Sequence, residues 1–317
     1  MLIPILLILF GLAVLIGGAE SMVRGASSLA RKMNISPLVV GLTVVAFGTS
    51  APELIVNIFS ALNGSSDLAI GNVVGSNIAN ILLILGITAI IAPIAVKKST
   101  TWKEIPFALL AAVLVFTMGN DLLFDGVGQN AITRTDGFSL IALFCIFMYY
   151  TVGIAKEEGG GDGIKIYPTP LSVLMVLLGI GFLFWGGKLL VDNAVILAKL
   201  AGMSEALIGL TVVAIGTSLP ELATSIVAAL RKQSDIAVGN IVGSNIFNVF
   251  WILGLTSSML QLPFNPATNF DVVVAILATF ALFSAMFIKK RHTLERWQGV
   301  LFVLAYLAYV AYLIYRG

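Results

Sequence analysis

The sequence predicts an all-α integral membrane protein of ten transmembrane helices, built as two inverted five-helix repeats, with the second and seventh helices broken at the motif GTSxPE. Three observations lead there: an apolar composition, an internal duplication at a constant offset, and an uneven distribution of Lys and Arg among the loops. Of 317 residues, 59% are hydrophobic and 11% charged, against about 25% charged in a soluble domain. The mean hydropathy is +1.03. Residues 68–96, 166–187 and 236–270 contain no Asp, Glu, Lys or Arg, and roughly 20 apolar residues suffice to cross a bilayer.

Charged breaks divide the chain into spans that begin near Leu2, Pro37, Leu68, Ile105, Gly137, Thr169, Ala206, Ile236, Val272 and Gln298. Residues 1–19 read as the first membrane helix and not as a signal peptide, because no basic segment precedes them and no clear small-residue cleavage site follows. The first and sixth helices are expected to run on toward Met33 and Ala201, since apolar residues continue at helical spacing through Met22, Leu29, Val191, Leu197 and Leu200. The Gly-rich stretch 157–163 lacks the alternating oxygen ligands and closing Glu of a calcium loop, and reads as a flexible connector. The one cysteine, Cys145, excludes an internal disulfide, and the one histidine, His292, sits in the solvated basic cluster Lys289, Lys290, Arg291.

Sliding the chain by 168 residues lays GLTVVAFGTSAPEL (41–54) on GLTVVAIGTSLPEL (209–222), with 12 of 14 positions identical. The same offset lays SDLAIGNVVGSNIAN (66–80) on SDIAVGNIVGSNIFN (234–248), with 11 of 15 identical. The chain therefore divides into a first repeat, 1–153, a short cytoplasmic linker, 154–168, and a second repeat, 169–317. Five spans per repeat is an odd number, so the second copy enters the membrane upside down. Placing both termini outside the cell membrane puts 14 of the 18 Lys and Arg in cytoplasmic loops, as the positive-inside rule requires.

Two charged residues fall deep inside these spans, Glu53 and its repeat mate Glu221. An ionisable group at that depth costs at least about 2.5 kcal/mol to insert, and no buried Lys or Arg is at hand, so the partner is a mobile cation or a proton. Thr49 and Glu53 are four apart, as are Ser76 and Asn80, and each pair shares a helix face; Thr217, Glu221, Ser244 and Asn248 repeat the arrangement. All are hard oxygen donors, suited to Ca²⁺ and, on the same grounds, Na⁺. A transition metal would call for Cys or His. Pro52 and Pro220 break their helices, which frees carbonyls, notably those of Ala46 and Ala214, to turn toward an ion. Gly71, Gly75, Gly239 and Gly243 form small-residue faces for close helix approach. Asn72, Asn77, Asn240 and Asn245 read as cross-helix hydrogen bonders, and Asp67 and Asp235 as helix N-caps.

GTSAPE and GTSLPE, each followed by GNxVGSNIxN, resemble the α-repeats of the cation/calcium exchanger superfamily, and the whole chain is similar to prokaryotic sodium/calcium exchangers. The resemblance implies a central site in which Glu53, Glu221, Thr49, Thr217, Ser50, Ser218, Ser76, Ser244, Asn80, Asn248 and the carbonyls of Ala46 and Ala214 bind one Ca²⁺ or several Na⁺. It also implies that the first and sixth helices slide as a gating pair, and that the inward Na⁺ gradient expels Ca²⁺ electrogenically, without a cofactor. Some relatives carry an acid where this chain has Asn248, and the neutral amide argues against potassium co-transport. The short linker leaves no room for the large cytosolic regulatory domain of animal exchangers. The expected partners are the two ions and lipid, with no nucleic acid, and the monomer is the expected working unit. The runner-up is a proton/calcium antiporter, since buried carboxylates also carry protons. An intramembrane enzyme lacks a nucleophile and base cluster, and a passive channel would conduct without coupling.

Overall fold

A computed structural model describes residues 2–126, 128–155, 165–200 and 214–316. The protein is helical almost throughout. Helix α1, Leu2–Lys32, is closed by Arg31 and Lys32 in its last turn, by Asn34 in the left-handed region (φ 52°) and by Pro37 beyond. Pro37 then opens α2, Pro37–Thr49, where its fixed φ suits a first helical turn. The turn Gly41–Val45 within α2 is π-helical. Helix α3, Ala51–Leu62, leaves α2 at a 47° bend. Pro52 has no N–H to offer the carbonyl of Gly48, which accounts for the bend.

Asn63 and Gly64 (φ 74°) then reverse the chain, and α4, Ser66–Ile91, follows with a π-helical segment at Ala79–Leu85. Next come the short strand β1, Ile94–Ala95, and α5, Lys98–Met118. Strand β2, Ala131–Ile132, precedes α6, Arg134–Ile154, whose start is set by a capping box between Thr133 and Asp136. The second half runs through α7, Thr169–Leu200; α8, Ala214–Thr217; α9, Leu219–Leu230; α10, Ser234–Met259; β3, Leu262–Pro263; α11, Asn269–Ala285; β4, Thr293–Leu294; and α12, Arg296–Arg316. Eight helices are long and apolar enough to cross a membrane among the described residues, and the bent pair α2/α3 makes a ninth. The expected start of the seventh span near Ala206 and most of the linker lie outside the described residues.

Over the described residues, the duplicated motif folds twice into the same succession of turns. Helix α10 carries its π-helical segment at Phe247–Leu253, 168 residues after the one in α4. Strand pairing exchanges between the halves, with β1 antiparallel to β4 and β2 antiparallel to β3. One apolar core lies among α2, α4, α5, α6, α10, α11 and α12, and a second among α1, α2, α7, α9 and the start of α10. Helices α1 and α7 cross closely because glycine lines the contact. A Cβ on Gly18 would sit 2.8 Å from the Leu183 nitrogen, and one on Gly179 2.7 Å from the Met22 nitrogen. Gly239 and Gly243 of α10 bring its backbone against α2 in the same way, with added Cβ atoms 2.8 Å from the Leu38 oxygen and 2.9 Å from Leu42 Cα. The segment that would face Gly71 and Gly75 by the repeat lies in 201–213, outside the described residues.

The N-cap expectation for Asp67 and Asp235 is corrected. The capping positions are Ser65 and Gln233, neither with a side-chain capping bond. The N–H groups of Ser65 and Gln233 reach back to the carbonyls of Ser60 and Ala228, closing the preceding helices. The next helices therefore start at once, and both aspartates fall inside the first turn. Asp235 pairs instead with Lys97 at 3.3 Å, and Asp67 accepts from Asn265 at 3.4 Å.

Candidate cation site

Glu53 and Glu221 lie in the first turns of α3 and α9, just beyond the interruptions at Ser50 and Ser218, and are 0% and 1% exposed. Each short helix presents its N-terminal end to its own glutamate, and a carboxylate is favoured there. Ser50 Oγ donates to Glu221 Oε1 at 3.2 Å and lies 3.0 Å from Ser244 Oγ, so a residue of the first half holds the acid of the second. Thr49 Oγ1 donates to Asn240 Oδ1 at 2.9 Å and lies 3.3 Å from the Ala46 carbonyl. That carbonyl also accepts the Ser50 N–H at 2.9 Å. The carbonyl that Pro52 leaves without a helical donor is Gly48's, two residues on.

Below the carboxylates, α4 and α10 are stitched together by a reciprocal amide network. Asn77 Nδ2 donates to the Asn245 carbonyl at 3.2 Å, and Asn245 Nδ2 to the Asn77 carbonyl at 3.3 Å. Asn80 Nδ2 donates to Asn245 Oδ1 and Asn248 Nδ2 to Asn77 Oδ1, both at 2.9 Å. Asn248 Nδ2 also reaches Ser76 Oγ at 3.2 Å. Asn240 Nδ2 donates to Ser225 Oγ at 3.0 Å, joining α10 to α9, and Asn72 Nδ2 lies 3.5 Å from the Glu53 carbonyl. The four amides Asn72, Asn77, Asn240 and Asn245 thus act across helices.

Asn80 and Asn248 sit within the two π-helical segments. A π-turn inserts one residue and rotates the face that follows. Each amide spends its N–H on the neighbouring amides, which turns its carbonyl oxygen elsewhere. Besides Asn57 Oδ1 and Glu104 Oε2, five carboxylate and amide oxygens are left buried with no donor among the described residues: both of Glu53, Oε2 of Glu221, and the Oδ1 atoms of Asn80 and Asn248. Buried acceptors are rarely left without a partner, and hard oxygens in this number fit Na⁺ or Ca²⁺. The Ser218 hydroxyl is likewise buried and without a partner among the described residues, and Thr217 is half-buried at the end of α8. Ala214 opens α8, next to the undescribed segment.

Sequence reasoning missed a third buried carboxylate. Glu104, 0% exposed, accepts a hydrogen bond from the Tyr150 hydroxyl and ties α5 to α6 away from this site. Beside Lys103 it reads as a span boundary, and nothing in the sequence announces a partner 46 residues away. Asn57 and Thr224 were missed too. Both are fully buried, one turn beyond Glu53 and Glu221, with Asn57 Nδ2 donating to the Ala69 carbonyl at 2.7 Å.

The family model described as sodium/calcium exchanger protein matches residues 3–153 and 171–315. CaxA of Alkalimonas amylolytica is 38% identical over 96% of this chain and 97% of its own. The sodium/calcium exchanger MaX1 of Methanosarcina acetivorans is 31% identical over 98% of both chains. The solved structure of the sodium-calcium exchanger NCX_Mj superposes with a TM-score of 0.84 at 33% identity, covering 98% of this chain and 99% of that one.

Proposed function

Because the chain belongs to the sodium/calcium exchanger protein family, we propose that it exchanges extracellular Na⁺ for intracellular Ca²⁺ across the cell membrane, electrogenically and by alternating access. The observation that carries this reading is the pair of buried glutamates with orphaned acceptor oxygens and no basic partner among the described residues. Glu53, Glu221, Thr49, Thr217, Ser50, Ser218, Ser76, Ser244, Asn80, Asn248 and the carbonyls of Ala46 and Ala214 are the proposed ligands. One Ca²⁺ or several Na⁺ compete for them. Either load neutralises the carboxylates, whereas an empty site would carry two unpaired charges through an apolar gate. The loaded carrier therefore changes face and the empty one does not, which makes it an exchanger and not a leak.

The ten-span, two-repeat topology with both termini outside belongs to the same proposal. It is supported by the loop charges and by the exchanged strand pairing of the halves. All proposed ligands come from one chain, which supports a monomeric unit.

The test is uptake of radioactive Ca²⁺ into sodium-loaded proteoliposomes diluted into sodium-free buffer. Uptake should require internal Na⁺. With more than two Na⁺ leaving for each Ca²⁺, net positive charge exits, so an inside-positive potential should accelerate uptake. Uptake driven by an acidic interior without Na⁺ would overturn the reading in favour of proton/calcium antiport.

A further inference from the structure

Under the repeat, α1 corresponds to α7 and α9 to α3, so contact between α1 and α9 should be matched by contact between α7 and α3. It is not. Helix α1 packs along α9, and Leu15, Ala19, Met22, Val23 and Ala26 share a buried core with Ala223, Ala228 and Ala229. Helices α7 and α3 barely touch among the described residues. In consequence Ala223 is 8% exposed while Ile55, its repeat mate, is 48% exposed.

The same end of the α1/α9 contact is clamped by charge. Glu20 of α1 takes a bidentate pair from Arg231 at the end of α9, one contact being Arg231 Nε to Oε2 at 2.6 Å. Arg24, one turn along α1, holds the same carboxylate at 2.6 Å. The repeat mates of Glu20, Arg24 and Arg231 are Lys188, Asp192 and Asn63. Lys188 and Asp192 pair with each other on α7 at 2.9 Å. Residues 54–66 contain no charge at all, so α3 and its following turn have nothing to offer α7.

We propose that Glu20 and Arg231 form an ionic latch that holds the carrier closed at its cytoplasmic end, a latch without a counterpart between α3 and α7 among the described residues. This rests on the alternating-access reading above, with Arg231 in a cytoplasmic loop. Bidentate Arg–carboxylate geometry makes the pair directional. Partial exposure of both side chains limits its effect to about a two- to fivefold bias toward the cytoplasm-closed form. The two faces of the transport cycle are therefore unequally populated although the ion-binding motifs are nearly identical.

The test places a reporter thiol at Ala223→Cys in the full chain carrying Cys145→Ser, and follows labelling by an impermeant maleimide from the cytoplasmic side at saturating Ca²⁺. Arg231→Gln should raise the labelling rate about two- to fivefold. The exchanged pair Glu20→Arg with Arg231→Glu should return it toward the starting value. Should Arg231→Gln fail to insert, Glu20→Gln makes the same test. Unchanged labelling in the single variant, or equal labelling in the single and exchanged variants, overturns the latch. Sodium-dependent uptake measured on the same vesicles separates the two claims. Intact uptake with flat labelling removes the latch alone, whereas absent uptake in the unaltered chain removes the exchange reading and leaves the labelling result to stand on its own.

Discussion

Among the described residues, the helix that follows Glu221 is wrapped by α1, whereas the helix that follows Glu53 is left largely open by α7, although the two glutamates stand in nearly the same peptide. On the proposed reading, the motif sets the chemistry of the site and the neighbouring helix sets access to it. A carrier needs both parts: ligands that look alike from either side, and a wrapping that at any moment differs between the sides.

The largest effect should come from breaking the chemical equivalence. Glu53→Gln and Glu221→Gln should each weaken Ca²⁺ binding about 100-fold, as expected for losing about 3 kcal/mol of charge-assisted contact, and each should abolish sodium-driven uptake. Tolerance of one substitution but not the other would mean that the halves do not contribute alike. The wrapping is probed at the α1/α7 crossing. Gly18→Ala would press a methyl group against the Leu183 nitrogen, whereas Gly17→Ala would meet nothing within 4 Å. Overpacking of about 1–2 kcal/mol should slow uptake roughly tenfold for Gly18→Ala, with Gly17→Ala staying within about twofold. A smaller difference is expected between the two serines at the interruptions. Ser50 donates to Glu221, and Ser218 has no partner among the described residues. Calorimetric Ca²⁺ titration should therefore show about a fivefold loss for Ser50→Ala, which removes a ligand and a hydrogen bond to Glu221, and about a twofold loss for Ser218→Ala, which removes a ligand alone. Equal losses would show that the asymmetry averages out over the cycle.

Much of this architecture is legible in the sequence because the duplication repeats whole motifs, and apolar length marks where helices cross. Glu53 and Glu221 stand out because a charge within an apolar run is costly and points to a site by default. Ser50 and Ser218 do not, since a hydroxyl in a membrane helix ordinarily bonds its own backbone; only family resemblance marks them. The π-turns at Asn80 and Asn248 leave no trace in composition, because they depend on how α4 and α10 fit each other. Asp67 and Asp235 carry the right residue type for a cap but miss the position by two residues, which is set by the turn before them. Glu104 hides beside Lys103. The pairing of Glu20 with Arg231 spans 211 residues and belongs to one arrangement of the helices, so no local pattern could reveal it.

The central claim is that Glu53 and Glu221 make one site, shared between Ca²⁺ and Na⁺. Equilibrium binding of radioactive Ca²⁺ to the purified chain, with and without Na⁺, for the unaltered protein, Glu53→Gln, Glu221→Gln and the double variant, tests this most directly. One site predicts a single Ca²⁺ per chain, displaced by Na⁺, with either single substitution nearly as damaging as both together. Two independent sites, each surviving loss of the other, would appear as half of the binding retained in each single variant, and would contradict it.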